Sequence, residues 1–384
     1  MSDDYLQIQL GRDYGPLSQW PALANDALYR CRATSIVLTN WTQHTLGLDP
    51  IWYNLTGLFI HFVNCCLVVS LGIWRPIGFV SSIPAACIFA FLERPHEAVI
   101  WYAALPELLV FTFTIAALVA WIQHCQTGRW SWFAASSIAF ALALLSKESS
   151  VVFVPLAFLI AGWRRELWIR LAPAVAVSLW YFLSIHGARD THLHFNDGTF
   201  SLSAPFWTTE LRTIARLLGV WGAAALIILI AWKRDWQFLA GCFVWMVITL
   251  LPYSFLTYQG MAPSRHTYLA AVGQAFLVAA AWLTLRERFP RHPRWLAAIA
   301  IVCVLQQASY IWSYKHNQFV ERAMPTERLL AAAKGHRGAI QVRCFPYPRV
   351  VAELALLVTA APGVWLAKEN EAAPFELDFC AKPD

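Results

Sequence analysis

Charge is what this sequence has least of. Asp, Glu, Lys and Arg make up 14% of its 384 residues, against 58% hydrophobic residues and a mean hydropathy of +0.49. A soluble globular domain carries roughly 25% charged residues, so most of this surface is not wetted. Apolar stretches recur along most of the length, which excludes a soluble enzyme held by one anchor. Zinc-ligand spacing is also missing: the nine cysteines are scattered, with no Cys-x-x-Cys and no suitably spaced Cys/His pair. Most fall in apolar segments, where cysteine behaves as a small hydrophobe. Cys344 and Cys380, near the end of the chain, could pair in an oxidising compartment, with two unpaired thiols the reading that composition favours. There is no internal repeat and no low-complexity tract. Nor is there a basic-then-apolar leader, since Met1 is followed by Ser2-Asp3-Asp4.

What is present is a series of apolar runs rich in interfacial aromatics, with 20 Trp and 12 Tyr. A spanning helix needs about 20 mostly apolar residues. Candidate spans cover residues 51–74, 77–92, 101–122, 130–145, 151–163, 171–186, 215–232, 236–256, 268–285 and 295–313. The expected fold is therefore an all-α polytopic membrane protein of about ten transmembrane helices. Residues 1–50 form an arm on one face, and residues 314–384 a small C-terminal α/β appendage. In that tail, residues 317–333 and 350–361 read as helices, and residues 339–344 and 375–379 as short strands. Residues 33–46 read as an interfacial helix, with Asp49-Pro50 opening the first span.

The net charge of +6 is a topology signal, not a nucleic-acid signature. Alternate connections carry Arg75, Arg129, Arg164, Arg165, Arg170, Lys233, Arg234, Arg286, Arg288, Arg291 and Arg294. The other set holds only Arg94, Lys147, Arg189, Arg212 and Arg265. By the positive-inside rule the first set is cytoplasmic, which leaves the arm, the tail and residues 187–211 outside. An arm outside without a leader predicts a hydrophobic helix encoded upstream of Met1.

Four polar clusters fall on that outer face, and ionisable groups at membrane depth need a reason. Asp3-Asp4-Tyr5 offers adjacent carboxylates for a general base or a divalent cation; the plainer alternative is a frayed acidic terminus. Glu93-Arg94-Pro95-His96-Glu97 is a polar turn ahead of Trp101, suited to a polar substrate or simply to a charged connection. Ser146-Lys147-Glu148-Ser149-Ser150 interrupts two apolar runs, where Lys147 either holds a phosphate or snorkels beside Glu148. Pro263-Ser264-Arg265-His266-Thr267-Tyr268 offers a guanidinium fork for phosphate, or an interfacial cap. Together they outline a cavity for an anionic, lipid-linked substrate.

These same stretches resemble the GT-C superfamily of membrane glycosyltransferases, most closely bacterial relatives of the protein O-mannosyltransferases and of the tetratricopeptide-bearing transmembrane mannosyltransferases. The likeness runs over about residues 2–270, through Ser2-Asp3-Asp4-Tyr5, Tyr29-Arg30, Pro95 to Trp101, Leu145-Ser146-Lys147-Glu148 with Pro155, and Arg265-His266-Thr267-Tyr268-Leu269. It implies transfer of a sugar from a polyprenyl-phosphate carrier to an acceptor hydroxyl, on protein or glycan, with inversion. Asp4 or Asp3 would be the base, and Lys147, Arg265 and Tyr268 would bind the donor phosphate. His96, Glu97 and Glu148 would line the pocket, at the periplasmic side of a bacterial inner membrane. Cys31-Arg32 and Pro106-Glu107 depart from the family pattern, and the tail lacks tetratricopeptide repeats. Two other classes compete: a transporter or flippase for a lipid-linked or anionic solute, and a non-catalytic assembly protein.

Overall fold

The computed structural model describes residues 2–187, 200–201, 203–257, 260–359, 363–367, 373 and 375–380, with only the backbone of Ser2, Asp3 and Ile185. Most of the predicted loop of residues 187–211, with Asp190, His192, His194 and Asp197, lies outside the described residues. The first 50 residues fold into α1 (Ser2–Tyr14), α2 (Trp20–Asn25) and α3 (Ala33–Leu46). The last is the helix that the apolar run after Arg32 predicts. Asp49 then starts α4 (Pro50–Ser70): its carboxylate accepts the Ile51 N–H at 3.0 Å, and Pro50 sits in the first turn, where a missing N–H breaks no bond.

Next come α5 (Gly78–Phe91), α6 (His96–Ile100), α7 (Leu105–Thr127), α8 (Trp130–Leu144), α9 (Phe153–Ala161) and α10 (Arg165–Gly187). They are followed by α11 (Phe206–Ile228), α12 (Trp236–Leu250), α13 (Ala271–Arg288) and α14 (Pro293–Tyr310). All ten predicted spans fall on helices. Among the described residues six helices are long and apolar enough, by length and composition, to cross a membrane: Pro50–Ile73, Tyr102–Thr127, Arg165–Ser184, Phe206–Lys233, Trp236–Tyr253 and Pro293–Ala333. Gly78–Phe91, Trp130–Leu144 and Glu148–Ala161 are shorter, and α13 closes on Arg286-Glu287-Arg288.

The third span is the axis of the bundle. In Tyr102–Thr127 the most apolar window is 72% buried, against 11% in Pro293–Ala333 at the edge. Phe111, Ile115, Leu118 and Trp121 are enclosed, with α4, α8 and α9 packed around them. On α13 small residues allow close approach, as in other membrane helix pairs. A Cβ on Gly273 would stand 2.8 Å from the Cys242 carbonyl of α12. Gly219 has φ +51 and breaks α11, and Gln274 Nε2 donates to the neighbouring Leu218 carbonyl at 3.3 Å.

From Tyr310 the chain continues through a π-helical turn, Ile311–Lys315, into α15 (His316–Ala333). Beyond it lie β1 (Gly338–Arg343), α16 (Arg349–Thr359), β2 (Val364–Leu366) and β3 (Phe375–Asp378). The sheet is parallel, in the order β2-β1-β3. Leu329, Ile340, Ala352, Leu356 and Leu366 make its own small core. The tail also touches the start of the chain: Arg12 on α1 donates to the Val358 carbonyl of α16 at 3.0 Å.

Cys344 and Cys380 are joined in a disulfide across a separation of 36 residues. On the chain-entropy account, closing such a loop stabilises by about 4 kcal/mol. The pair Cys344→Ser/Cys380→Ser is therefore expected to make the tail cleavable by protease at lower denaturant concentration. Cleavage at the wild-type concentration would show that the bond adds nothing.

Candidate active site

The polar residues gather where α7 begins. Trp101 is followed by a 3-10 turn, Tyr102–Ala104, and Pro106 stands in the first turn of α7. The first N–H groups of a helix have no intrahelical acceptor and carry partial positive charge. Asp4 uses one of them: its Oδ1 accepts the Ala103 N–H at 2.8 Å. Asp4 as a residue is half-buried.

What holds Asp4 there is a chain of hydrogen bonds from α1 through α3 to the start of α7. Gln7 Nε2 donates to Thr39 Oγ1 at 3.1 Å, and Thr39 Oγ1 pairs with the Tyr102 hydroxyl at 3.0 Å. Tyr5, beside Asp4, has its phenol pushed up by burial and by the charges of Glu327 and Asp4. The Asp3 side chain lies outside the described residues.

Four residues beyond Ala103, in the first turn of α7, sits Glu107, 4% exposed. Its Oε1 receives the Lys147 ammonium and His266 Nδ1–H, and its Oε2 accepts the Tyr253 hydroxyl at 2.8 Å. Tyr253 also contacts Ser149 Oγ at 2.8 Å, and its ring stacks on His266 with centroids 4.3 Å apart. A buried ion pair is tolerable only when its polar atoms are met, and here the two carboxylate oxygens have three donors, with the Lys147 ammonium also over the Tyr253 ring at 5.0 Å. Glu107 is thus the fixed counter-ion of Lys147. Glu148 lies nearby, facing Arg32 and Cys31, and its charge also acts on Lys147.

Burial, and then the Lys147 ammonium, push the His266 imidazole down to about 3. The ring is neutral in the folded protein, whereas an unfolded chain takes up its proton near 6.5. Between those values the unfolded state binds one more proton, so stability is full above pH ~6.5 and falls by up to ~1.4 kcal/mol per unit as pH drops toward 3. His266→Gln is expected to flatten that part of the pH–Tm curve. An unchanged slope would remove His266 as its source.

Arg265, the neighbour of His266, lies half-exposed with its guanidinium 4.9 Å over the Trp101 ring. Its backbone N–H donates to Glu97 Oε2 at 3.3 Å. Asp4 and Arg265 thus flank one short turn, residues 101–104. His96 is buried, and Nδ1–H donates to the Glu93 carbonyl at 2.6 Å. Its Nε2 meets no partner among the described residues. Burial lowers the His96 imidazole, with Lys315 and Arg216 adding positive charge nearby. Tyr268 goes elsewhere: its hydroxyl bonds His61 Nδ1 at 2.6 Å and Asn64 Nδ2 at 3.3 Å, and its ring packs on Phe89 and Phe111.

The structure thus gathers Asp4, Glu97 and Arg265 at a half-exposed turn, with Lys147 in a buried layer beside it. Tyr268 points into separate surroundings, whereas the charge of Glu148 bears on Lys147 and Tyr253. Sequence reasoning gave no role to Glu107, His266 as a partner of Lys147, Tyr253 or Arg32. Glu107 was visible as a lone carboxylate entering an apolar run. Among the described residues, one trio has metal-ligand proximity, Cys344, Asp378 and Cys380, and there both sulfurs are in the disulfide.

Residues 52–186, roughly a third of the 384 residues, match the family model described as dolichyl-phosphate-mannose-protein mannosyltransferase. The match bears out the resemblance to GT-C mannosyltransferases and indicates, in general terms, an integral membrane glycosyltransferase. No curated protein and no solved structure matches the chain.

Proposed function

We propose that the protein moves a sugar from a polyprenyl-phosphate donor to an acceptor hydroxyl, in a single inverting displacement. The observation that carries this reading is the turn at residues 101–104, with the Asp4 carboxylate on the Ala103 N–H and the Arg265 guanidinium over Trp101. A carboxylate and a fixed cation on either side of one turn suit this chemistry. Asp4 takes the proton of the acceptor hydroxyl. The acceptor oxygen attacks the anomeric carbon from the side opposite the phosphate. The carbon–oxygen bond to the carrier breaks, and its electron pair leaves with the polyprenyl phosphate. Arg265 binds the phosphate oxygens as a fork, and Lys147 adds positive charge from the buried layer. Glu97 and His96 Nε2, which meets no partner among the described residues, face the polar parts of donor or acceptor.

The reaction is placed on the face that holds α1 and the tail. In support, the loops with most Arg and Lys are at the other ends of the spans. The Cys344–Cys380 disulfide suits an oxidising compartment, and the Arg12–Val358 contact keeps the chain's start and its tail on one side. In bacteria that face is periplasmic.

The test is sugar transfer in proteoliposomes with radiolabelled polyprenyl-phosphate sugars, mannose first because the matching family is named for it. Label appearing on acceptor in step with released carrier supports the reading. Carrier that crosses the bilayer with its sugar still attached would overturn it in favour of a flippase.

A further inference from the structure

Apart from the turn at residues 101–104, a cavity of about 150 Å³ opens between α7, α8, α9 and α10 and runs along α8 from its arginine-rich end to Leu144. Its wall is apolar, with Phe133, Phe140 and Leu144 on α8 facing Leu171 and Val177 on α10. Ala141 lines it too and is exposed, so the cavity opens sideways toward the membrane. From Phe133 to Leu144 the helix rises about 16 Å at ~1.5 Å per residue. That is close to half of the ~30 Å hydrocarbon core, the depth of one leaflet.

One charged side chain enters the lining, and it sits at the arginine-rich end. Arg170 donates through Nη1 to His124 Nε2 at 2.7 Å, and its guanidinium lies 5.1 Å over Trp130. A guanidinium only donates, so His124 Nε2 is the acceptor; Nδ1 carries the proton and donates to the Arg129 carbonyl at 2.9 Å. The partner of Arg170 is therefore a neutral ring. Among the described residues no carboxylate lies within ion-pair distance of Arg170. Arg129, Arg164 and Arg165 add positive charge at the same end, against Glu166 alone on the first turn of α10.

We infer that this groove binds an anionic phospholipid of the arginine-rich leaflet, with one acyl chain between α8 and α10 and the phosphate on Arg170. Charge complementarity and leaflet-length depth together select this occupant: a lipid of zero net charge leaves the arginine-rich end unneutralised, and a free phosphate leaves the groove empty. The phosphate of a sugar donor bound at Arg265 would stand at the other end of the spans. The inference therefore does not rest on the glycosyltransferase reading.

The test follows thermal unfolding of the purified full chain in detergent, by tryptophan fluorescence, with four additions made separately. Phosphatidylglycerol is expected to raise the midpoint by several degrees, and phosphatidylcholine and inorganic phosphate to leave it unchanged. Arg170→Gln is expected to weaken half-saturation by phosphatidylglycerol tenfold or more. Ala141→Phe, which fills the groove and keeps Arg170, is expected to abolish the effect, and it carries the test where Arg170→Gln fails to fold. Equal protection by phosphatidylcholine or by inorganic phosphate would overturn the inference. So would stronger protection by polyprenyl phosphate that Ala141→Phe removes, since the groove would then belong to the donor's tail.

Discussion

Sugar transfer by Asp4→Asn is expected to fall by about 10²–10⁴-fold, the usual contribution of a positioned general base. Its folding is expected to stay near wild type, because the Asn carbonyl still accepts the Ala103 N–H that Asp4 Oδ1 accepts at 2.8 Å. Asp4→Ala separates the two roles, since it removes base and acceptor together and is expected to cost a further ~1 kcal/mol of stability, as the loss of a helix cap does. The pH–rate profile gives a readout that a structural role would not move. Wild type should lose rate as acid protonates Asp4, and the residual rate of Asp4→Asn should lack that limb. Transfer by Asp4→Asn at the wild-type rate would end the assignment of Asp4 as base.

How far the sequence foretold this arrangement depends on how local each determinant is. Asp49-Pro50 announces the start of α4, and the apolar run after Arg32 announces α3, because capping and hydrophobic patterning act over a few residues. Span number was less legible. Residues 77–92, 130–145 and 151–163 look like spans by composition, yet end after 14, 15 and 9 residues of α-helix. Neighbouring helices let such short elements remain apolar. The strand Val364–Leu366 is three residues long, too short for alternation to register. In the tail, the predicted helix of residues 317–333 runs without a break from the last span through Ile311–Lys315.

The candidate site divides in the same way. Lys147, Arg265, His96 and Glu97 stand out as polar residues between apolar runs. Which of them meet is a tertiary fact: Glu107 joins Lys147 and His266 across separations of 40 and 159 residues. No spacing rule reaches that far. Arg265, His266 and Tyr268 read as one motif, yet the turn sends them to a ring face, an ion pair and an aromatic core respectively.

The ion pair gives the largest expected effect on stability. Glu107→Gln strands the Lys147 ammonium in a buried site, and removing one partner of such a pair typically costs about 3–5 kcal/mol. Lys147→Met is expected to be milder, because Glu107 keeps His266 and Tyr253 as donors. The ammonium that helps push His266 down to about 3 is then gone, while burial, the larger cause, stays. The imidazole moves back toward its unfolded value near 6.5, so the loss of stability below pH ~6.5 should stop sooner than in wild type. A pH–Tm curve as steep down to pH ~4 as that of the wild type would exclude this release. The double variant Glu107→Gln/Lys147→Met removes both charges and is expected to recover most of the stability lost in Glu107→Gln. It also isolates the chemistry. If Lys147 attracts the donor phosphate, the refolded double variant has a raised KM for the donor. If Lys147 serves only to neutralise Glu107, the double variant transfers sugar with wild-type constants.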